Sequence, residues 1–253
     1  QTFGLRASAK NFNFKAHITS HWAAVAWGKK VYVTLNIIPH NDDLEYLPEY
    51  LKELNECKVD AVILSDPGTF MYVKEYAPDL EVHLSTQANN TNHASAKFWH
   101  NQGMTRIILA RELSFDEIRD INDKIPDTLE TEAFVHGAMC ISYSGRCLLS
   151  NYMNNRDSNR GECSQPCRWN YYLVEEKRPG EYIKVSEDEK GTYFFNSKDL
   201  CMIEYIPELI QSGLASLKIE GRSKSIYYVA NTVRAYRKAI DEYYKTPEDY
   251  KYN

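Results

Sequence analysis

Short apolar runs alternate with longer amphipathic segments along most of the chain. Six runs have the composition of β-strands and cover residues 31–37, 59–65, 80–85, 105–110, 129–136 and 216–220. Segments with helical spacing separate the first five runs, at residues 44–56, 69–76, 91–101 and 115–123. Strands that alternate with helices at this period predict βα units around a parallel sheet.

Polar side chains stand at or just beyond the end of each apolar run. They include Asn36, Asp66, Gln87, Arg111, His136, Glu220 and Arg222. In a (β/α)8 barrel the active site is built from the carboxyl ends of the strands and the loops after them, whereas a doubly wound sheet gathers its ligand groups at one switch point. Polar groups around the whole rim therefore favour a (β/α)8 TIM-type barrel.

A barrel of this type needs eight strands, and the pattern supplies six. The first residues, QTFGLRASAKNF, have the polar, glycine-containing character of a loop that follows a strand. We therefore expect one barrel domain over residues 1–253 that lacks its first two strands. A closed ring of eight strands within these residues would refute that expectation.

The segment between the fifth and sixth runs is expected to be an insertion before the last strand. Residues 137–196 should form a cysteine-rich loop followed by a β-hairpin, in which residues 171–175 pair with residues 192–195. Residues 196–199 are expected to cap a helix over residues 202–210 that Gly213 ends. Residues 225–244 should form a final helix packed on the barrel, with RNA contact as the alternative role of its tyrosines and arginines.

Composition narrows the classes of function. The chain is 43% hydrophobic and carries a formal net charge of -5, which argues against coating of nucleic acid but allows a local basic patch. No apolar run reaches the roughly 18 to 20 residues that cross a bilayer, and the first residues lack a signal-peptide core. We therefore expect a soluble, cytoplasmic protein with no membrane partner, in which clustered cysteines act as metal ligands or redox groups.

Four of the six cysteines fall in one segment with the spacing C-x6-C-x15-C-x3-C. They are Cys140, Cys147, Cys163 and Cys167. The segment is rich in Gly, Ser, Asn and Arg and has little core-forming pattern, so burial does not account for them. Four thiolates suit either an iron-sulfur cluster or tetrahedral zinc. Structural zinc sites usually have two pairs of cysteines separated by two to four residues. Here only Cys163 and Cys167 are that close in sequence, which favours an iron-sulfur cluster and keeps zinc as the alternative. Cys57 and Cys201, in helical apolar patterns, are expected to be buried as small hydrophobes.

The sequence around these cysteines resembles the U-32 peptidase family of collagenase-like proteins. The resemblance is carried by EAFVHGAMCISYSGRCLLS, NRGECSQPCRW, FNSKDLCMIEYIPELI and SLKIEGRSKSIYYVA, and extends from Gln1 to about Tyr243. It is closest to bacterial members of the family that act in tRNA hydroxylation. The resemblance also implies two further strands at the N-terminus, in agreement with the strand count.

The resemblance implies an enzyme that hydroxylates the wobble uridine of tRNA without oxygen, using prephenate. It also implies a [4Fe-4S] cluster on the four clustered cysteines, as in members that act in ubiquinone hydroxylation. Related members hydroxylate a cytidine of ribosomal RNA. Two alternatives stay open, a collagenase-like peptidase and a non-catalytic iron-sulfur subunit that works with a protein partner of the same family.

The rim supplies candidate residues for this chemistry. Arg111, Lys218 and Arg222 could clamp a small dicarboxylate such as prephenate, the alternative for each being a scaffold salt bridge. His136 and Glu220 are the candidate acid and base, the alternatives being a hydrogen-bonded histidine at the strand end and an ion pair with Arg222.

Asn36 and Gln87 suit hydrogen bonds to a substrate base or carboxylate, or else to backbone groups of the βα loops. For the peptidase reading, His136 precedes Cys140 by four residues, but neither G-x-S-x-G nor H-E-x-x-H is present.

Overall fold

A curled parallel sheet forms the centre of the computed structural model, which describes residues 27–140, 142–169, 171–184, 187–188, 191–192, 199–221 and 224–250. Five parallel strands pair in chain order, and a sixth, β11, pairs with the fifth. They are β1 Tyr32–Leu35, β2 Ala61–Leu64, β3 Glu81–Leu84, β4 Arg106–Ile108, β5 Glu130–Ala138 and β11 Ser216–Ile219. Each lies on a predicted run, although β5 continues past its predicted end.

The predicted helices lie between these strands. They are α2 Leu47–Glu56, α3 Pro67–Tyr76, α4 His93–Asn101 and α5 Phe115–Asn122. Two short helices were not predicted, α1 Asn41–Leu44 before α2 and α6 Leu149–Asn154 in the cysteine-rich segment. Helix α5 begins as its sequence predicts, because the Ser114 hydroxyl accepts from the Glu117 amide at 3.4 Å while the Glu117 carboxylate accepts from the Ser114 amide at 2.8 Å. Helix α3 starts earlier than predicted, because Asp66 caps it by accepting from the Thr69 amide at 2.7 Å.

The main core lies between the sheet and these helices. Every residue of β2 is buried, as a strand covered on both faces requires. Leu47, Leu51 and Leu54 of α2 are also buried in this core, each contributing about 1.5–3 kcal/mol by leaving water.

The carboxyl ends of the six parallel strands converge on one cavity, which is lined by residues from or just beyond every one of them. This convergence requires a curled sheet, so the predicted α/β architecture is confirmed as a partial TIM-like barrel. Within the described residues, β1 and β11 stand at opposite ends of the parallel set and do not pair with each other.

The hairpin predicted after the cysteines pairs differently. Strand β6, Tyr172–Leu173, is antiparallel to β7, Ile183–Lys184, whereas β8, Glu187–Asp188, is antiparallel to β9, Gly191–Thr192. Residues 171–175 were predicted to pair with residues 192–195. For Thr192 this prediction is wrong, because Thr192 pairs with Glu187. Residues 193–198 lie outside the described residues. A nearer partner with the same β composition closes a shorter loop, which loses less entropy.

The residues after this insertion also depart from prediction. Asp199 does not cap a helix but opens β10, Asp199–Cys201, which is antiparallel to the end of β5. Helix α7, Ile206–Gln211, starts only after this strand and a 3-10 turn, and Gly213 follows it with a φ of 79°. The prediction that Cys201 is buried in a helix is wrong, since it is exposed on β10, whereas Cys57 is buried as predicted.

The last helix, α8, spans Ile226–Lys245 and packs on the sheet as predicted. Its Tyr236 is buried, and the phenol donates to the Val135 carbonyl at 2.8 Å and accepts from the Met202 amide at 2.9 Å. One side chain therefore ties α8 to both β5 and the end of β10. Among the described helices, none combines the length and apolar character needed to cross a membrane.

Candidate functional site

The cavity at the strand ends has a volume of about 250 Å³ and holds most of the predicted rim residues. Asn36, Gln87, Arg111, Lys218 and Glu220 all line it, together with Cys140 of the cysteine-rich segment. The structure therefore brings these six residues to one cavity, whereas their roles stay a prediction. Arg222 lies outside the described residues, and the described lining does not include His136. We call this space the rim cavity.

An aromatic ring flanked by two cations forms one wall of the rim cavity. The Arg111 guanidinium carbon lies 3.8 Å from the centre of the Phe134 ring, and the Lys218 ammonium lies 5.5 Å from it. Arg111 is also oriented by donation from Nη1 to the Ala138 carbonyl at 2.7 Å. Cations over an aromatic face are stabilised by the ring quadrupole, so this wall can hold an anion against a flat apolar surface.

Glu132 on β5 is a charged residue of this site that sequence reasoning missed. It is 4% exposed and pairs with Lys218 at 2.8 Å and with Arg106 at 3.5 Å. Burial raises the pKa of its carboxyl, but the charge of Lys218 and the hydrogen bond from its ammonium outweigh burial and hold the pKa below the usual value. Lys218 therefore forms the scaffold salt bridge that was the alternative to a ligand-binding role. The position of Glu132 inside a predicted strand, where a charged side chain needs a buried partner, could have indicated it from the sequence.

The amides at the opposite wall form a short hydrogen-bonded chain. Asn36 Nδ2 donates to the Ser85 hydroxyl at 3.3 Å, and that hydroxyl donates to Gln87 Oε1 at 3.3 Å. This fixes the orientation of the Gln87 amide, which is 4% exposed. Among the described residues, Gln87 Nε2 has no hydrogen-bond partner, although buried donors are almost always paired.

The cysteine-rich segment rests directly on Gln87. Gly145 has a φ of 76°, and a Cβ at this position would lie 2.9 Å from Gln87 Nε2. Only glycine meets both conditions without strain. The segment is tied down further by Arg160, which donates to both carboxylate oxygens of Asp43 at 2.8 Å.

Three of the predicted metal ligands lie close enough to the fourth, Cys167, to influence its charge. The pKa of the buried Cys167 thiol is raised, first by burial and then by Cys140, Cys163 and Cys147, while Arg168 acts in the opposite direction. Backbone amides donate to Cys147 Sγ and to Cys163 Sγ, each at 3.4 Å. In the described residues, however, no group of three or more His, Cys, Asp or Glu side chains has metal-binding geometry. The thiols share a neighbourhood without forming a ready-made ligand cage.

His136 lies under α8, away from the lining of the rim cavity. Strand β5 has a register shift here, with Lys218 opposite Phe134 but Ile219 opposite His136. The imidazole lies against the rings of Tyr228 and Tyr236, with centroid distances of 5.8 Å and 5.6 Å. Burial is the largest cause that lowers its pKa, with Lys224 acting in the same direction and Asp199 opposing them. The Glu220 amide donates to the His136 carbonyl at 2.8 Å, so the two backbones are adjacent, but only Glu220 is among the described residues that line the rim cavity.

Asp199 connects the cysteine-rich segment to the residues before α8. Its carboxylate accepts from Arg168 and from Lys224, each at 2.8 Å. Burial raises the pKa of Asp199, but the two hydrogen-bonded cations lower it to about 2. Since Arg168 follows Cys167 directly, this ion pair fixes the end of the cysteine segment.

Comparison with known proteins gives close relatives over nearly the whole chain. The chain is 44% identical to tRNA hydroxylation protein P of Escherichia coli, over 95% of this chain and 61% of the relative. It is 45% identical to tRNA hydroxylation protein P1 of Bacillus subtilis, over 99% of this chain and 58% of the relative. The chain thus spans about three fifths of the length of these relatives.

A solved structure and a family model agree with these matches. The structure of the U32 peptidase Mk0906 matches with a TM-score of 0.50 and 17% identity, covering 83% of this chain and 76% of that one. At that identity the match supports the fold alone. The model of peptidase family U32 matches residues 1–253, and the chain therefore belongs to peptidase family U32.

Proposed function

We propose that this chain belongs to an enzyme that hydroxylates tRNA, at the wobble uridine and without molecular oxygen. The relatives named tRNA hydroxylation proteins, at 44% and 45% identity, support the RNA substrate. The observation that carries the proposal is the rim cavity, in which Arg111 and Lys218 flank Phe134 and Cys140 forms part of the wall.

The rim cavity suits a small cyclic carboxylate as the oxygen donor, and prephenate is the donor we propose. The Arg111 guanidinium has a planar set of five N–H donors that matches a carboxylate. The Phe134 ring provides a flat apolar surface for the ring of the donor, and the Gln87 amide donates from the opposite wall. Lys218 contributes less charge than Arg111, because Glu132 neutralises it.

The reaction transfers one oxygen atom. A C–H bond of the uracil becomes C–OH, which is a two-electron oxidation, and the donor leaves with one oxygen atom fewer and two electrons more. The base proton returns to the new hydroxyl oxygen. Glu220 lines the same cavity and is the group that we assign to carry this proton.

The four cysteines fit an iron-sulfur cluster by the chemistry of the donor set. Cys140, Cys147 and Cys163 act on the charge of the Cys167 thiol, and two of the sulfurs accept backbone N–H bonds, contacts of the kind that tune cluster potentials. We therefore assign a [4Fe-4S] cluster to Cys140, Cys147, Cys163 and Cys167, with zinc as the alternative metal. When bound, such a cluster supplies one-electron transfer beside the cavity.

Exposed aromatic side chains on the insertion support an unpaired RNA partner. Between 46% and 84% of the surface of five aromatic residues is exposed in this segment, namely Tyr143, Tyr152, Trp169, Tyr172 and Tyr182. Unpaired bases stack on such rings.

The proposal is tested by complementation in a strain that lacks uridine hydroxylation of tRNA. The full chain should restore hydroxyuridine, measured by mass spectrometry of tRNA nucleosides, and prephenate depletion should abolish it. Cys163→Ser should abolish both hydroxylation and the iron found after anaerobic purification, whereas the matched control Cys57→Ser should retain both. An iron-free protein that leaves tRNA unmodified but cleaves peptides would refute the proposal in favour of the peptidase.

A further inference from the structure

A second cavity adjoins the rim cavity behind Gly145. It has a volume of about 230 Å³ and is lined by Ile38, Ser65, Asp66, Pro67, Gln87, Gly145 and Arg146. Gln87 and Gly145 line both cavities. These two residues form a partition between the two cavities, which are therefore adjacent.

The partition carries a donor that the described residues leave unpaired. Gln87 is 4% exposed, its Oε1 is occupied by Ser85, and its Nε2 has no partner within the described part of the chain. A buried amide is stabilised when a ligand supplies the missing acceptor. The close approach of Gly145 to Nε2 places this donor at the boundary of the two cavities.

Arg146 supplies a cation on the far side of the partition. Its Nε donates to Asn89 Oδ1 at 3.2 Å, which orients the guanidinium. Asn89 is held in turn, because its Nδ2 lies 3.4 Å from the carbonyl oxygens of Thr86 and Ser144. No carboxylate pairs with Arg146 among the ion pairs of the described residues, so its charge is available to a ligand.

The remaining lining sets the charge that fits. Helix α3 has ten residues and begins at Pro67 beside this cavity, so its positive end favours an anion. Asp66 opposes that preference, although its Oδ1 is turned to Thr69, accepting from the amide at 2.7 Å and from the hydroxyl at 3.2 Å. The cavity lining carries one positive charge, from Arg146, and one negative charge, from Asp66. This low positive charge favours a singly charged phosphodiester over a doubly charged phosphate monoester.

We infer that the second cavity binds a phosphodiester group of the RNA strand next to the nucleotide in the rim cavity. Arg146 is the anchor, and Gln87 Nε2 donates one of its two N–H groups across the partition, which leaves the other for the ligand of the rim cavity. This inference rests on the proposed function, since it requires RNA as the substrate. It adds a residue that sets the position of the strand and that does not touch the reacting carbon.

The first test measures binding of an anticodon stem-loop RNA to the full chain. Arg146→Ala should weaken binding about tenfold and reduce the slope of log affinity against log salt by about one, with Arg146→Lys in between. Arg156→Ala is the matched control, since Arg156 is exposed on the same segment without an ion pair among the described residues, and it should change neither quantity. Equal losses in the two alanine variants would indicate general attraction and overturn the subsite.

The second test replaces single phosphodiester linkages of the same RNA with neutral methylphosphonates. One linkage in the loop should weaken binding to the wild type but leave binding to Arg146→Ala unchanged, because the partner of that charge is already gone. Additive losses at every linkage would refute the assignment of Arg146. A wild-type chain that binds no RNA would overturn the proposed function as well, whereas RNA binding with a silent Arg146→Ala overturns the subsite alone.

Discussion

Replacing Lys218 with methionine isolates the buried charge of Glu132. The substitution keeps an unbranched side chain of similar length but removes the ammonium that pairs with the Glu132 carboxylate at 2.8 Å. Glu132 is only 4% exposed, so water cannot take over the role of this partner. The carboxylate then keeps only the hydrogen bond with Ser216 and the charge of Arg106 at 3.5 Å among the described partners. Arg106 is already engaged by Glu130 at 2.5 Å.

The expected loss in the free energy of unfolding is about 3 kcal/mol at pH 7. Removing one member of a buried ion pair costs about 3–5 kcal/mol. The lower end applies here, because Arg106 still offsets part of the charge and Lys218 itself is partly exposed. Lys218→Met/Glu132→Gln should recover most of the loss, since the uncompensated charge is then absent.

The pH dependence has a definite sign. In the wild type the pKa of Glu132 is lowered, so its contribution to stability is present above the unfolded value of about 4.3 and is lost as pH falls through the folded value. In Lys218→Met the folded pKa rises, because burial now dominates. Lowering the pH from 7 towards 5 should therefore narrow the gap between variant and wild type.

Urea unfolding followed by fluorescence at several pH values measures these quantities. A loss below about 1 kcal/mol at pH 7 would show that Glu132 is hydrated or protonated in the folded protein. A double variant as unstable as the single one would show that Lys218 acts through packing. Either outcome refutes the reasoning from buried charge.

Three further perturbations test other contacts. Gly145→Ala should lower the free energy of unfolding by about 1–3 kcal/mol, through left-handed backbone strain and contact of the new methyl group with Gln87. The control Gly180→Ala has a φ of 93° but no atom within 4 Å of a Cβ, so it introduces the backbone strain alone. Equal losses in thermal unfolding would exclude a contribution from the contact with Gln87. Tyr236→Phe removes the phenol that donates to the Val135 carbonyl, but the Met202 amide still donates to that carbonyl at 3.0 Å. The variant should therefore lose about 0.5–1.5 kcal/mol, and an unchanged melting temperature would contradict the bridging role of Tyr236. The pKa of the Asp199 carboxyl is lowered to about 2, so the ionised carboxylate stabilises the wild type above about pH 4 and this stabilisation is lost as the pH falls towards 2. Asp199→Asn should lack this contribution at every pH. Identical urea midpoints for the two proteins across this pH range would contradict the role of Asp199.

The sequence determined the βα alternation and the residues of the rim. Short runs that are apolar at every position and rich in β-branched residues, such as Ala61–Leu64, are typical of strands covered on both faces, and β2 is buried throughout. Once the sheet is parallel and curled, the carboxyl ends of its strands must converge, so Asn36, Gln87, Arg111, Lys218 and Glu220 reach one cavity whatever the details of the loops.

Tertiary structure decided which side chains face that cavity and which pairs form. The pairing of β5 with β11 shifts register beside His136, whose side chain lies under α8. Local sequence does not predict such a shift. Strand β10 arises by pairing with β5, which puts Asp199 and Cys201 in a strand despite their helical pattern. The contact of Gly145 with Gln87 joins residues far apart in the chain. Sequence periodicity reports which face of an element is buried, whereas long-range contacts depend on how the elements pack, and these contacts fix the geometry of the site.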